Sequence, residues 1–399
     1  MINDKTHLYF TNNKLCIMAH KSKSSLALLM TGFIGILLSC CGKKQGQDID
    51  TGYASVDTVF YEENLDTLSP GLIRDVQWLA LEGTENGLFR EVSKLYVQDS
   101  LMIIVDKSNC TATVFTLQGD LVYHLSKRGQ GPDEYLELAA ATVNDSLIYI
   151  VDNYARRIQR YSLADGSYAG AINLPFVARD IEAFSDNDFL FTCMSSSPDS
   201  HITPKPIDFA VWRTDSTMEV KQTYLPLPEN HVEMIGKRVY FVKDNSGNIN
   251  YHFYGYPGYF TFAQDQEPQY HHISFYKVIP SEENLDYDQI NEKGYPYLSE
   301  TPHVYNDKWC AIMSQGQYAQ PMVGLNADKK IVCNSMSSAA NMIFNIVGVN
   351  HEGLIGYMND DYSRYKSLIE YGFPRADSIT ERDIEQGCNA LIFYKFCEN

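Results

Sequence analysis

The feature that most constrains the fold of this chain is an internal repeat. The segment VQDSLMIIVDKSNCTATVFTLQGD from Val97 aligns without a gap with VNDSLIYIVDNYARRIQRYSLADG from Val143, at an offset of 46 residues. Each copy contains β-branched and aromatic runs that end at a turn containing Asp and Gly. A period of about 40–50 residues with several strands per unit is typical of β-propeller blades. The repeat therefore predicts an all-β fold.

Equivalent positions of the two copies separate structural residues from candidate site residues. Asp106 and Asp152 occupy the same position at the end of a strand, where a carboxylate accepts backbone N–H bonds in the following turn. We predict a structural role for both. Arg156 and Arg157 have no charged counterpart in the first copy. A structural role is favoured for them too, and a role in a binding face stays open.

Three segments resemble known patterns. IYIVDNYARRIQRYSLADG is similar to an NHL repeat, and SKRGQGPDEYLEL (Ser126 to Leu138) resembles the glycine-rich link of a Gram-negative envelope lipoprotein family with six-bladed propellers. NALIFYKF (Asn389 to Phe396) resembles the closing strand of that family. Asp133 replaces the second glycine of the usual link, so any positive φ there would fall on an aspartate, which tolerates it less well than glycine. The function of that family is largely unassigned.

The resemblance implies a six-bladed propeller, and seven blades fit the chain length less well. We expect the C-terminal strand to close the ring by pairing with VQWLALEG, from Val76. The segment DSITERDIEQG, with Ser378 and Glu381 at capping-box spacing and Gly387 as a stop, predicts a short helix before that strand.

The N-terminus predicts export and lipid attachment. Lysines precede the apolar run LALLMTGFIGILL, which is too short for a membrane span of about 20 residues, and LLSC resembles a lipobox with Cys40 as the acylated residue. We predict a signal region over 1–39 with the true start at Met18, a lipidated cysteine and flexible tether over 40–60, and a single propeller domain over 61–399. Lys43 and Lys44 follow Cys40, which favours the periplasmic face of the outer membrane over the cell surface.

Charge and cysteine content exclude several functions. Without residues 1–39 the chain has 28 basic and 49 acidic side chains, a formal charge of −21, which argues against nucleic-acid binding. We expect contact with a membrane only through the lipid. The six later cysteines contain no CxxC pair, so a zinc cluster is not supported and most are expected as free thiols, with Cys388–Cys397 the favoured bridge if one forms.

Motifs of common catalytic classes are missing. No GxSxG, HExxH or Walker-type sequence occurs, and KDNSGNIN has its glycine in the wrong place for a calcium loop. The stretch YHFYGYPGYFTF, from Tyr251 to Phe262, offers an aromatic surface for a sugar or peptide, although ordinary packing explains it as well. His271 and His272 are adjacent in a strand-like segment and would point to opposite faces, so a shared metal ion is disfavoured.

Two functional hypotheses follow from these observations. The first is a non-catalytic binding or scaffold lipoprotein for an envelope protein, peptide or glycan, with no cofactor. The second is a metal-dependent lyase or hydrolase of the NHL-like or lactonase-like type, with calcium or another divalent cation in the channel. Propeller function lies in loops at the ends of the channel. The candidate ligand-binding residues are Arg128, Asp133, Glu134, Arg156, Arg157, Tyr251, Tyr254, Tyr256 and Tyr259.

Overall fold

The structure, a computed structural model, describes residues 52–69, 71–192, 209–226, 239–253, 256–280, 287–334 and 342–397. The signal region, Cys40, Cys193 and Tyr254 lie outside the described residues.

The first three sheets after the N-terminal segment are regular blades of four consecutive antiparallel strands. Two strands, β1 (Ser55–Tyr61) and β2 (Ile73–Ala80), and a 3-10 helix (Thr84–Asn86) precede them. Blade 1 contains β3 (Lys94–Gln98), β4 (Leu101–Asp106), β5 (Thr111–Thr116) and β6 (Leu121–Leu125). Blade 2 contains β7 (Ala140–Val143), β8 (Leu147–Asp152), β9 (Arg157–Ser162) and β10 (Tyr168–Asn173). Blade 3 contains β11 (Asp180–Ser185), β12 (Asp188–Thr192), β13 (Phe209–Thr214) and β14 (Val220–Pro226).

The remaining three blades are less regular. Blade 4 contains β15 (Phe241–Lys243), β16 (Ile249–Tyr251), β17 (Gly258–Phe262) and β18 (Gln269–Phe275). A helix, α1 (Tyr287–Glu292), and β19 (Pro296–Leu298) precede blade 5, which contains β20 (His303–Tyr305), β21 (Lys308–Gln315), β22 (Tyr318–Leu325) and β23 (Lys330–Cys333). Blade 6 contains β24 (Ile346–Val349), β25 (Gly353–Met358), β26 (Ala390–Phe396) and β2, with α2 (Tyr362–Glu370) and α3 (Ser378–Glu385) inserted before β26.

The six blades form a ring around a central channel. The first strands of neighbouring blades, from β7 through β11, β15, β20 and β24 to β3, contact one another in order. Blades 1 and 2 share a hydrophobic cluster that contains Tyr96, Ile103, Ala141 and Ile150. The fold is therefore an all-β propeller, and the prediction of six blades is confirmed.

The repeat corresponds to blades 1 and 2. Strands β4 and β8 both end at the repeated aspartate, and each carboxylate spans two backbone segments. Asp106 accepts hydrogen bonds from the N–H of Ser108 (2.8 Å) and of Arg90 (2.7 Å). Asp152 accepts them from Ala155 (3.0 Å) and Leu136 (2.8 Å). The predicted structural role of both aspartates is confirmed, because each joins the blade's second turn to the link that enters the blade.

The N-terminal segment closes the ring. Strand β2 pairs with β26 along its whole length, from Ile73 opposite Phe396 to Ala80 opposite Ala390, so the predicted closure is confirmed. Strand β1 runs parallel to β18 at the outer edge of blade 4, and Phe60 pairs with Lys330 of blade 5. The first described strand, β1, thus lies largely inside the segment assigned to the flexible tether over 40–60. The strand forms because Val59 and Tyr61 alternate with exposed residues and are buried.

The helix predicted before the closing strand is confirmed as α3, with a different cap. The N-cap is Asp377, not Ser378, and its carboxylate accepts hydrogen bonds from the N–H groups of Ile379 and Thr380, each at 2.9 Å. Asp377 lies one residue earlier and has the extended backbone that an N-cap requires. Gly387 has φ of 93° just after the helix, as a C-terminal stop requires.

The five described cysteines are thiols, among them Cys388 and Cys397, the pair favoured for a bridge. Strand β26 separates these two residues, so they lie at opposite ends of an extended segment and cannot approach to the ~6 Å between Cα atoms that a disulfide needs. Burial raises the pKa of the Cys310 thiol to about 12 and, together with Glu85, that of Cys388 to about 11.

Candidate functional site

The two ends of the channel differ in chemistry. We call the end where the first strand of each blade begins the upper mouth, and the opposite end the lower mouth. In all six blades the turn after the first strand, at the lower mouth, contains an acidic residue: Asp99, Asp145, Asp186, Asp244, Asp307 and Glu352. The upper mouth between blades 1, 2 and 3 instead lies beside a buried ionic network.

Glu182 on β11 is the centre of this network, and it receives side chains from three other blades. Its carboxylate accepts hydrogen bonds from Lys94 Nζ (2.8 Å) and the Tyr96 hydroxyl (2.9 Å) of blade 1 and from the Thr142 hydroxyl (3.0 Å) of blade 2. Lys243 Nζ of blade 4 lies 3.9 Å away. The Glu182 side chain is 1% exposed, so the first strands of four blades are joined through one buried carboxylate.

Asp180 is the second buried acid of the network. One carboxylate oxygen lies 2.8 Å from Lys94 Nζ, and the other accepts the backbone N–H groups of Tyr240 (2.8 Å) and Phe241 (2.9 Å) at the start of blade 4. Burial alone would lower the pKa of Lys94, but the charges of Asp180 and Glu182 outweigh it and raise that pKa. Lys94 is therefore a cation shared by both acids, and the second positive group beside them is Lys243, 3.9 Å from Glu182.

A second layer of charged side chains lies above the network at the upper mouth. Lys107 follows β4, and its backbone N–H donates to the Ser93 hydroxyl at 3.0 Å. Burial is the main cause that lowers the pKa of Lys107. The positive charges of Lys94 and Arg179 lower this pKa further, whereas the negative charge of Asp180 raises it. Burial raises the pKa of Glu137, which also lies within reach of the charges of Lys107 and Arg179. Lys107, Glu137 and Arg179 thus form one electrostatic group from three blades.

The glycine-rich link between blades 1 and 2 is held by one face of β9. Arg157 donates to the carbonyl of Glu134 (2.8 Å), Gln159 donates to the carbonyl of Pro132 (3.3 Å), and the Tyr161 hydroxyl donates to the carbonyl of Asp133 (2.9 Å). These three side chains are two residues apart and therefore share a face of the strand. The structural role favoured for Arg157 agrees with these contacts.

Glu134 explains the glycines of the link. Its carboxylate accepts the N–H of Gly131 at 2.7 Å, and a Cβ on Gly129 would lie 2.0 Å from a Glu134 oxygen. The absence of a side chain on Gly129 thus leaves room for the Glu134 carboxylate beside Gly131. The backbone of Asp133 is not in the left-handed region. The replacement of glycine by aspartate at this position therefore adds no backbone strain.

The other charged candidates are accessible. Arg128 is exposed at the start of the link, and Asp133 forms a surface ion pair with Lys127 at 3.6 Å. Arg156 is partly exposed with φ of 52° in the turn between β8 and β9. Arg156 and the link that contains Arg128, Asp133 and Glu134 lie at the same end of the blades, the upper one.

The aromatic candidates are placed in the core. Tyr251, Tyr256 and Tyr259 are 1%, 7% and 1% exposed, and they pack against the other rings of blade 4 or against Trp309 of blade 5. Their burial favours the packing explanation over an exposed aromatic surface. In the sequence, the signal for packing in the core is that aromatic residues alternate along the strand-like segment from Tyr251 to Phe262.

The paired histidines point to different partners. His271 Nδ1 lies 3.0 Å from both carboxylate oxygens of Asp57 on β1, and its ring stacks on Tyr259 at 4.6 Å. His272 Nδ1 lies 3.2 Å from the Tyr270 hydroxyl. Within the described ranges, no group of three or more His, Cys, Asp or Glu side chains has the geometry to hold a metal ion.

The network residues were missed from sequence. Lys94, Asp180, Glu182 and Lys243 are charged residues inside short strand-like runs such as KLYVQ and DIEAFS. A charge in an otherwise apolar inner strand is the signal that could have found them, since an unpaired charge is not buried. Their mutual pairing depends on contacts between blades.

Comparison with known proteins places this chain in a family. The model of the family described as "Domain of unknown function (DUF4934)" matches residues 57–377, so the chain belongs to that family. No curated protein matches the chain.

Solved structures support the fold. A "Putative exported protein" from Bacteroides fragilis has a TM-score of 0.69 at 16% identity, covering 85% of this chain and 99% of that chain. A member of the DUF4221 family from Bacteroides vulgatus has a TM-score of 0.46 at 15% identity, covering 82% and 97%. Virginiamycin B lyase from Staphylococcus aureus has a TM-score of 0.34 at 12% identity, covering 58% and 79%. Only the first is similar enough to carry an argument, and that argument concerns the fold alone.

Among the described residues, no helix is both long enough and apolar enough to cross a bilayer.

Proposed function

We propose that this DUF4934 chain is an exported lipoprotein, anchored through Cys40, whose propeller binds an envelope partner at the upper mouth without catalysing a reaction. The observation that carries this proposal is the closed ionic network under the mouth. Asp180 and Glu182 are buried and already pair with Lys94, and Lys243 lies 3.9 Å from Glu182. A divalent cation would have to displace Lys94 from both carboxylates, so the donors present do not fit the metal-dependent alternative.

The sequence supports export and anchoring, and the comparison with one solved structure supports export. The lipobox-like LLSC follows a short apolar run, and the body begins with β1 only 15 residues after Cys40. Strand β1, the first strand of the described residues, lies at the outer edge of blade 4. Lys43 and Lys44 after the cysteine favour the periplasmic face of the outer membrane. A similarly folded Bacteroides fragilis protein is described as a putative exported protein, which supports export and no finer location.

The mouth has the structure expected of a rigid binding surface. Turns and links there are fixed by Asp106, Asp152 and the Asn153 side chain, which donates to the carbonyl of Ala178 (2.9 Å) and accepts its N–H (3.1 Å). Loops fixed to a scaffold present side chains without an ordering cost on binding. The propeller thus displays a preformed surface, and partner identity depends on its loop side chains.

The test is purification of the full-length lipoprotein from its native membranes in mild detergent after cross-linking, with the N-terminus, bound metal and copurifying proteins measured together. We expect a diacylated or triacylated Cys40, no stoichiometric metal, and a stoichiometric partner that is lost with Arg156→Glu. Lys221→Glu, at an exposed surface ion pair of blade 3, is the matched control that should retain the partner. A stoichiometric metal with turnover that needs Glu182 would overturn the proposal.

A further inference from the structure

A pocket of about 460 Å³ lies where the N-terminal segment passes from the outer edge of blade 4 to that of blade 5, and we call it the rim pocket. The N–H of Phe60 donates to the carbonyl of Lys329 (3.0 Å), and the N–H of Cys333 donates to the carbonyl of Asp66 (2.7 Å). Between these two contacts, residues 62–65 cross the edge of β23 without forming ladder pairs with it. The rim pocket is the space beside this crossing segment, and its volume lies in the range of small-molecule sites.

Three apolar side chains line the rim pocket. Ile331 on β23 is 2% exposed, Leu65 packs against the hydrophobic cluster shared by blades 4 and 5, and Phe60 is 46% exposed. On β1 the side chains of Val59 and Tyr61 are buried in the blades, so strand alternation turns the Phe60 ring to the opposite face, toward the pocket. A ligand in the pocket would therefore cover apolar surface that is now open to water.

The charged side chains of the rim pocket have an excess of acid. Three carboxylates and two ammonium groups line it, from Glu62, Asp66, Asp328, Lys329 and Lys330. Lys330 pairs with Asp66 at 3.5 Å. Among the described residues, the other three side chains have no ion pair or hydrogen bond, which leaves two carboxylates against one cation. Glu62 belongs to the crossing segment and Asp328 to the turn before β23, so these two carboxylates come from different walls.

We propose that the rim pocket binds a primary ammonium group attached to an apolar group, with the ammonium between Glu62 and Asp328 and the apolar group on Phe60 and Leu65. An ammonium has three N–H donors, so two carboxylates from different walls accept from it together, in charge-assisted hydrogen bonds. Within the described part of the chain, no set of three acidic side chains is arranged to hold a metal ion, so an organic cation fits the pocket better than an inorganic one. Because no residue of the upper mouth takes part, this binding is separate from the function proposed above.

The direct test measures binding of phenylalanyl-leucine amide, which has an ammonium group, apolar side chains and no carboxylate. The full-length protein in detergent is titrated by saturation-transfer difference NMR, with protein-free micelles as the blank, at about 0.15 M salt, where distant exposed charges are screened. We expect one saturable site, with a Kd that rises by about tenfold in the double variant Glu62→Gln with Asp328→Asn. The N-acetylated dipeptide amide lacks the ammonium group and should bind the unmodified protein about tenfold more weakly as well.

Glu63→Gln is the matched control, because Glu63 is an exposed acid of the same segment that does not line the rim pocket. It should leave the Kd unchanged. Since Glu62, Glu63 and Asp328 are all exposed, the urea midpoint should also stay the same in these variants, so that a loss of binding reports the pocket and not the fold. Equal binding of the acetylated dipeptide, an equal loss in Glu63→Gln, or no saturable binding overturns the proposal.

The apolar side of the rim pocket is tested at Phe60. Phe60→Thr keeps a β-branched residue in the strand and removes the ring, so we expect it to raise the Kd of the dipeptide amide by about threefold or more. An unchanged Kd in this variant would contradict the placement of the apolar group.

Photo-cross-linking locates the ligand. The dipeptide amide with benzoylphenylalanine in place of phenylalanine should attach to peptides that contain residues 60–66 or 328–331, and attachment confined to other peptides overturns the proposal. Competition by hexylamine distinguishes two sources of the same chemistry: displacement of the dipeptide supports binding of free amines, whereas retention supports binding of a peptide N-terminus. The double variant should still retain the envelope partner expected at the upper mouth, so the two proposals fail separately.

Discussion

At the scale of single residues, Lys94 has the largest energetic role at the upper mouth. Removing a lysine from water is costly, and the two carboxylates at 2.8 Å offset that cost only because all three groups are buried together. Replacing one member leaves the others as uncompensated charges. Lys94 is therefore both a structural cross-link between blades 1 and 3 and the shared counterion of the two buried acids.

We expect Lys94→Met to lower the free energy of unfolding by about 3–5 kcal/mol, because Asp180 and Glu182 would remain buried without their cation. The pKa of Lys94 is raised in the folded state, so its contribution is present below the unfolded pKa of about 10.4 and is lost as pH rises through the folded pKa. Urea unfolding from pH 7 to 11 measures both effects. The difference in free energy of unfolding between the unmodified protein and Lys94→Met should shrink at the alkaline end.

Lys221→Met is the matched control for Lys94→Met. Lys221 pairs with Asp215 and Glu219, but its side chain is 47% exposed. Exposed pairs contribute about 0–1 kcal/mol, so little change is expected. Comparable losses in the two variants would contradict the argument from burial.

At the scale of structural elements, the link between blades 1 and 2 shows what its glycine-rich motif does. GQGPDEY brings the Glu134 carboxylate onto its own backbone, where Gly131 donates to it and Gly129 leaves room for it. Strand β9 then fixes the carbonyls of the same loop with Arg157, Gln159 and Tyr161. The motif is a device that joins two blades, and Arg157 belongs to it.

We expect Gly129→Ala to destabilise the protein by about 1–3 kcal/mol, because the added methyl group would displace the Glu134 carboxylate from Gly131. Glu134→Ala should cost a similar amount. The double variant should cost little more than either change alone, since both remove one interaction. Additive losses in denaturant unfolding would show that the glycine is required for another reason.

At the scale of the whole molecule, the N-terminal segment completes the ring. Strand β2 supplies the fourth strand of blade 6, and Trp78 on it packs edge-on against Tyr365 at 5.3 Å and donates to the carbonyl of Pro374 at 2.9 Å. Strand β1 adds only an outer strand to blades 4 and 5. Loss of β2 would therefore expose the edge of β26 in blade 6, whereas loss of β1 would expose only outer edges of blades 4 and 5.

Deletion of residues 73–80 should abolish cooperative thermal unfolding, because it leaves an open edge on β26 and removes Trp78, whose loss alone costs about 3–5 kcal/mol. Deletion of residues 55–61 should leave a cooperative transition at a lower midpoint, since the ring stays closed. Circular dichroism during heating measures both. A cooperative transition in the first variant would show that the C-terminal strand closes the ring without β2.

The sequence by itself determined the blade architecture, the closing strand and the roles of Asp106 and Asp152. These features depend on local patterns, namely strand periodicity, turn residues and a repeat whose copies make equivalent contacts. Strand β1 was missed because its segment follows a polar stretch and was assigned to the tether, and the cap of α3 was displaced by one residue because two cap formers are adjacent.

Only the tertiary structure decided the composition of the upper mouth. Lys94, Glu182 and Lys243 are far apart in sequence and become neighbours because ring closure brings the first strands together. The same closure buried Tyr251 and Tyr259 and left Tyr154 exposed. Which charges are paired and which side chains are accessible depend on the packing of several blades, and no single segment contains that information.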